Sequence, residues 1–262
     1  MAGGNVNQAF KKIIRTVTPP TVLEKCVMKP LMAYRGLKPI AARHCNLCDY
    51  RGYFGIKGRP PRLDARCPRC GSFERHRLLM LAMDRAEVIP EIGADEQVLH
   101  FAAEPVLVRH FRKRWGRYQT ADLFFDADLK LNLEDIDLPD ASVRLIIANH
   151  VLEHVDDYKA ASELHRILVD GGVLVCMVPI IEGWAQTYEN EAIQTQTGRW
   201  LHFGQGDHRR YYGRDFRARI ASAGLQLAAE VTAEGEELLE YGLLRGEKVF
   251  MFRKPLATTS AA

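Results

Sequence analysis

Four cysteines carry the most specific chemical signal in the chain. Cys45-Asn46-Leu47-Cys48 and Cys67-Pro68-Arg69-Cys70 are separated by eighteen residues, a C-x2-C-x18-C-x2-C arrangement. Two short turns of this kind each aim a pair of thiolates at one point. Four thiolates close a tetrahedral shell around Zn2+ and leave no position for a substrate, so the expected role of the ion is structural. Tyr50, Tyr53, Phe54 and Phe73 are available to cover so small a module. Cys26 and Cys176 fall outside the pattern, and Cys176 lies in an apolar run that reads as core. Just beyond the second pair, Arg75-His76-Arg77 can hold a phosphate or carboxylate, or pair with acidic residues of the neighbouring domain.

The elements that position these groups are read from apolar periodicity. Residues 1–43 form a basic tail with one or two short helices. Phe10, Ile13, Ile14 and Val17 give the first an apolar face, and Thr21 with Glu24 can cap the second. A basic amphipathic stretch can lie on a membrane surface, so peripheral contact through residues 1–40 stands beside docking on the chain's own domain. Residues 44–78 make up the cysteine module, and residues 79–262 alternate strands with helices. Strands are expected at Gln97–Phe101, Arg117–Ala121, Leu129–Leu133, Leu145–Ala148, Val173–Val178, Leu225–Val231 and Glu247–Arg253. Helices are expected at Leu78–Ala86, Pro105–Arg114, Val151–Leu168, Asp215–Ala223 and Glu234–Leu244, with Asp170-Gly171-Gly172 ending the third. The unit Val143–Pro179 is strand, helix, strand, the size of a right-handed crossover, and its apolar runs lack polar alternation, as buried parallel strands do. A site in such a sheet lies at the carboxyl ends of its strands, here Asn149-His150 and Pro179-Ile180.

The chain of 262 residues is 47% hydrophobic and carries a formal charge of +3. That sum hides an asymmetry: residues 1–66 hold 13 Lys/Arg against 3 Asp/Glu, and the remainder 23 against 30. A basic front attracts phosphate, anionic lipid or an acidic partner, or is simply a solvated positive face. No secretory leader is visible between Met1 and Pro20, no apolar run reaches a membrane-spanning length, and the cysteine pattern suits a reducing compartment. The expected location is cytoplasmic.

From about residue 96 to 254 the chain resembles the class I S-adenosylmethionine-dependent methyltransferases. The resemblance rests on Leu138-Pro139, on Ala148-Asn149-His150-Val151-Leu152-Glu153-His154-Val155 and on Asp170-Gly171-Gly172. The ribbon joined to Ser72-Phe73-Glu74-Arg75-His76-Arg77, together with Phe203-Gly204-Gln205-Gly206-Asp207-His208-Arg209-Arg210-Tyr211-Tyr212-Gly213, is similar to one bacterial branch of that superfamily. It implies a Rossmann-like, seven-stranded α/β sheet, mostly parallel with an antiparallel edge strand, behind a small zinc ribbon. By the same resemblance, S-adenosylmethionine is held by His100, Phe101, Ala102, Glu104, Asp122, Asn132, Leu133, Asn149 and His150. Asp122 would accept hydrogen bonds from the ribose hydroxyls and Asn132 from the adenine amino group. The superfamily's glycine-rich first turn is replaced by Ala102-Ala103, small residues that tolerate a close approach but not the most strained backbone.

Methyl transfer to a hydroxyl needs donor and acceptor in line and a group to take the proton. His150 faces the methyl position by this reading, and His154 follows four residues later on the same helix face. Asp207 and His208 form a second candidate, a base with its orienting carboxylate. The insert 180–213 supplies an acceptor pocket from Trp184, Tyr188, His202, Gln205, Arg209 and Tyr212. Three readings follow: a methyltransferase acting on a hydroxyl of a glycan or small molecule, an RNA methyltransferase gripping phosphates with its basic front, and a non-catalytic binding protein on this fold.

Overall fold

The computed structural model describes residues 40–58 and 61–257, together with Cys26 and Pro30. The helices expected in the basic tail lie outside the described residues. Two antiparallel hairpins form the cysteine module: β1 (Arg43–Cys45) pairs with β2 (Tyr50–Gly52), and β3 (Gly55–Lys57) with β4 (Arg62–Arg66). Helix α1 (Glu74–Arg85) follows without a break and crosses residue 78, because Leu78 to Met83 are buried against the sheet.

The sheet is built from β5 (Gln97–Phe101), β6 (Tyr118–Ala121), β7 (Val143–Asn149), β8 (Leu168–Met177), β11 (Gln226–Thr232) and β12 (Lys248–Arg253), in the order β11-β12-β8-β7-β5-β6. Strands β6, β5, β7 and β8 are parallel. The reversed strand β12 is second from the edge, antiparallel to both β8 and β11. Side chains on the central strands alternate between two cores. Val143, Ile146, Ala148, Leu174 and Cys176 face α3 (Asp157–Ile167) and α5 (Phe216–Ala221), while Leu145, Ile147, Val173, Val175 and Met177 face α1 and α2 (Pro105–Arg114). Burial on both faces is why these strands read as unbroken apolar runs. Asp156 caps α3 by accepting a hydrogen bond from the Lys159 amide at 3.2 Å, and Ala160, Ala161, Leu164 and Ile167 form its buried stripe. Asp157 in its first turn takes a bidentate pair from Arg219 of α5, at 2.7 and 2.8 Å, which locks the two helices together.

Several expectations are corrected. Leu129–Leu133 is not a strand, so the sheet has six strands rather than seven; only an isolated bridge joins Ala121 to Leu129, and Leu131 and Leu133 turn inward as core. The helix expected from Val151 begins instead at Asp157, after a separate 3-10 turn over Leu152–His154. Gly171, at φ +73°, does not end that helix. It sits inside β8, where its amide donates to the Lys254 carbonyl at 2.9 Å and the adjoining Gly172 leaves no room for a Cβ, 2.8 Å from the Val169 carbonyl. The insert 180–213 is not irregular: it holds β9 (Tyr188–Glu189), α4 (Gln196–Phe203) and β10 (Arg210–Tyr211). The acidic segment after β11 is helical only over α6 (Glu236–Glu240). No helix among the described residues is long and apolar enough to cross a membrane.

Candidate active site

In the cysteine module the two C-x2-C turns face each other. The Cys48 and Asp49 amides donate to the Cys45 carbonyl, the Gly71 amide donates to the Cys67 carbonyl, and the left-handed Asp49 (φ +56°) and Gly71 (φ +81°) close the two turns. Cys45 Sγ lies 3.5 Å from Cys70 Sγ, and Cys48 Sγ 3.7 Å from Cys67 Sγ. Zinc–sulfur bonds of about 2.3 Å in a tetrahedron set sulfurs about 3.8 Å apart, so the four side chains fit one Zn2+. Arg77, fully buried, ties this module to the sheet domain. It donates to the carbonyls of Ser72 and Ala65 on one side and of Tyr241 and Gly242 on the other.

At the carboxyl ends of β5, β6 and β7 lies a cavity of 1120 Å3. Its volume is at the upper end of the roughly 300–1,000 Å3 typical of small-molecule sites. Phe101, Ala102, Glu104, Asp122, Asn132, Leu133 and His150 line it, as expected of the cofactor residues. Ala102 adopts the left-handed conformation, φ +46°, that a glycine would take at no cost. The expectation that alanine cannot make this turn is therefore corrected: the Ala102 amide donates to the Ala121 carbonyl at 2.9 Å, and the surrounding sheet holds the strained residue. Asp122 spends Oδ1 on the amides of Phe124 and Phe125, at 2.7 and 2.8 Å, which leaves Oδ2 free to face a ribose. Asn132 Oδ1 accepts from the Glu134 amide at 3.1 Å and keeps one lone pair for an outside donor. Exposed Leu123, Phe124 and Phe125 form an apolar lip at this end.

Glu104 opens α2 and links the cavity to α1. Its Oε1 is 3.3 Å from Arg75 Nε and 3.3 Å from His76 Nε2, and its Oε2 is 3.7 Å from His100 Nε2. Burial on its own would raise the Glu104 carboxyl, but the facing imidazoles of His100 and His76 outweigh it and hold the group well below the usual carboxylate range. The Arg75-His76 segment thus pairs with the neighbouring domain instead of holding a free anion. His100 is fully buried behind β5, where the Tyr118 hydroxyl lies 2.7 Å from its Nδ1, and it does not line the cavity. Asn149 is likewise buried and off the wall.

At the other end, His150 sits in a left-handed conformation, φ +52°, at the tip of β7. The 3-10 turn that follows breaks any common helix face, so His150 and His154 do not lie one above the other. Both line the cavity nonetheless, with Arg199, Asp207 and Arg209. Behind them Glu153 is fully buried, its Oε1 3.4 Å from His150 Nδ1 and 4.0 Å from His208 Nε2, and neither carboxylate oxygen has a hydrogen-bond partner among the described residues. Burial disfavours the imidazolium of His150, but the Glu153 carboxylate wins and raises its pKa. Burial lowers that of His208.

The expected pairing of Asp207 with His208 is not made. Asp207 Oδ2 lies 3.4 Å from His154 Nδ1, and the His208 ring meets the His154 ring edge-on at 4.8 Å between centroids. Of the expected acceptor residues only Arg209 reaches the cavity. Tyr212 is core, its hydroxyl donating to the Leu152 carbonyl at 3.0 Å. Tyr188 and His202 bond to each other at 2.6 Å, with Trp184 against Tyr188, in a separate exposed cluster, and Gln205 is exposed. Glu153 and Arg199 were missed as site residues. Glu153 stands inside the quoted Val151–Val155 motif, whereas nothing local to Arg199 marks it.

A mostly parallel sheet with one reversed strand near its edge and a cavity at the strand ends is a Rossmann-like organisation. Residues 88–176 match a family model described as methyltransferase domain. A comparison with curated proteins found no match. Among solved structures, the chain is similar to an S-adenosylmethionine-dependent methyltransferase from Mesorhizobium loti (15% identity, 65% of this chain and 99% of that one, TM-score 0.47). It is also similar to geranyl diphosphate C-methyltransferase from Streptomyces coelicolor (15% identity, 68% and 80%, TM-score 0.45). A third likeness is to a chain in a Haloferax volcanii complex of a methyltransferase activator with a methyltransferase (16% identity, 68% and 89%, TM-score 0.46).

Proposed function

We propose that the enzyme methylates a hydroxyl of a small molecule or glycan. The observation that carries this reading is the pair His150 and His154, which line the same cavity as Asp122, with the buried Glu153 carboxylate 3.4 Å from His150 Nδ1. S-adenosylmethionine, when bound, supplies a sulfonium methyl open to in-line displacement. The backbone at Phe101–Ala103 and the anionic Glu104 hold the cationic methionine end, Asp122 Oδ2 takes the ribose, and Asn132 and Leu133 meet the adenine. His150 receives the acceptor's proton and Glu153 orients its ring. Arg199 and Arg209 place positive charge on the acceptor wall, which favours an acceptor that also carries an acidic group. The four cysteines hold a structural Zn2+ in a module of residues 44–78.

The nucleic-acid reading has less support. Within the described part of the basic front, Arg43 pairs with Asp64 and Arg62 with Glu74, so these two guanidiniums are spent internally, while Arg51, Lys57 and Arg66 are exposed. The non-catalytic reading rested on the missing glycines, and Ala102 takes the glycine conformation without them.

The test is His150→Ala, assayed with labelled S-adenosylmethionine over a panel of hydroxyl acceptors with and without carboxylate or phosphate groups. Transfer falls about 10^2–10^4-fold, the usual worth of a general base, while cofactor affinity measured by titration stays unchanged. Full turnover in His150→Ala would remove the assigned role.

A further inference from the structure

We propose that Glu153, His154 and His208 form a second metal site, one for a divalent first-row transition ion, open toward the acceptor end of the cavity. One ligand atom from each of the three lies within 4.8 Å of the others. The arrangement joins two distant segments, the 3-10 turn after β7 and the loop between α4 and β10, at one point.

The decisive observation is Glu153. It is fully buried, and neither of its carboxylate oxygens has a hydrogen-bond partner among the described residues. A buried carboxylate that makes no hydrogen bond is costly for a fold to carry, and structures that keep one pair it with a charge or coordinate a metal. No arginine or lysine among the described residues answers it. Arg210, which reaches this turn, points its Nη1 at the carbonyls of Leu152 and Val155. Only imidazoles face the carboxylate, with His150 Nδ1 at 3.4 Å and His208 Nε2 at 4.0 Å. The Arg209 amide donates to the Glu153 carbonyl at 2.9 Å, which fixes the insert against the turn and holds His208 in place.

Two imidazoles and one carboxylate suit zinc, iron, copper or nickel better than calcium or magnesium. Metal–ligand bonds of about 2.0–2.2 Å bring donors to within about 3 Å of each other, so the site closes by rotation of the partly exposed His154 and His208 side chains. Asp207 already lies against His154 Nδ1, 3.3 Å through its carbonyl and 3.4 Å through its carboxylate. Such an outer partner fixes the tautomer and orientation of a ligating imidazole.

Three protein ligands leave coordination open, in contrast to the closed four-thiolate shell of the cysteine module. On the cavity side, that open position suits an oxygen of the acceptor. This part of the inference rests on the methyl-transfer reading, under which the ion makes the hydroxyl more acidic, His150 takes its proton, and the oxygen then receives the methyl as the sulfonium becomes a thioether.

Metal binding is tested without cofactor or acceptor, so its outcome is independent of the transfer assay. The full chain is dialysed against buffered free Zn2+ and its metal content read by elemental analysis. The expected result is two ions per chain in the wild type, and one in His154→Ala and in His208→Ala, with the His165→Ala control keeping both. The histidine variants are chosen because their side chains are partly exposed, and thermal melts confirm that each is folded. One ion in the wild type, or two in both His154→Ala and His208→Ala, overturns the proposal.

Discussion

The cysteine module and the sheet domain are held together by opposite means. The module's buried apolar cluster is Cys45, Phe54 and Cys67, two of which are metal-ligand candidates. The sheet buries large side chains on both faces from every central strand. With so little apolar surface to bury, the module would draw its folding energy from docking and, on the zinc reading proposed above, from the ion. The larger core holds its elements firmly enough to keep Ala102 and His150, both on the cavity wall, in conformations unfavourable for residues with a Cβ. Robust packing in one region permits local strain, and thin packing in the other makes every anchoring contact count.

The sharpest way to break this contrast is to remove the module's metal. Cys67→Ser, or treatment with a strong chelator, forfeits binding energy on the order of 10–16 kcal/mol. Residues 43–73 are then expected to become sensitive to limited proteolysis while the far-ultraviolet signal of the sheet domain persists. A sheet domain that melts together with the module would show that the two are one cooperative unit. Arg77→Met comes next. It leaves four buried carbonyls without their donor and is expected to cost about 3–5 kcal/mol, read as a fall in denaturation midpoint, with the module released first.

At the sheet's rim the effects are smaller and local. Asp122→Asn keeps the Oδ1 that receives the Phe124 and Phe125 amides but loses the second charged oxygen. Calorimetric titration is expected to show roughly tenfold weaker S-adenosylmethionine binding, about 1.4 kcal/mol, with the melting temperature unchanged. Ala102→Gly relieves the left-handed turn and is expected to stabilise the fold by about 0.5–1 kcal/mol in denaturant titration. A destabilised Ala102→Gly would mean that the turn is not strained and that the contrast between the two regions is weaker than the backbone angles indicate.

Most of the strands and the two C-x2-C turns were legible because they depend on local pattern. Apolar runs name buried parallel strands, and thiol spacing names a metal site. Leu129–Leu133 misled because Leu129, Leu131 and Leu133 alternate as a strand does, yet two of them turn into the core with only one bridge to the sheet. The acceptor wall was hard to read for a different reason. Asp207 and His208 are neighbours in sequence, but their side chains address different partners, and Tyr188 and His202 satisfy each other away from the cavity. Periodicity cannot show which way a loop side chain turns. Glu153 escaped notice as a site residue because burial of a charge becomes visible only once the fold is closed.

The Arg77 bridge also bears on how the protein comes into being. Its carbonyl partners at Tyr241 and Gly242 lie 164 and 165 residues further along the chain. At about 5–20 residues per second of synthesis, they emerge roughly 8–30 s after Arg77 does. Strand β12, which fills the gap between β8 and β11, arrives later still. The nascent chain can therefore bring its four cysteines together early but cannot complete this sheet until β12 is made. Throughout that interval the apolar face of α1 and the edge of β8 stand uncovered, and they are where a chaperone would be needed most.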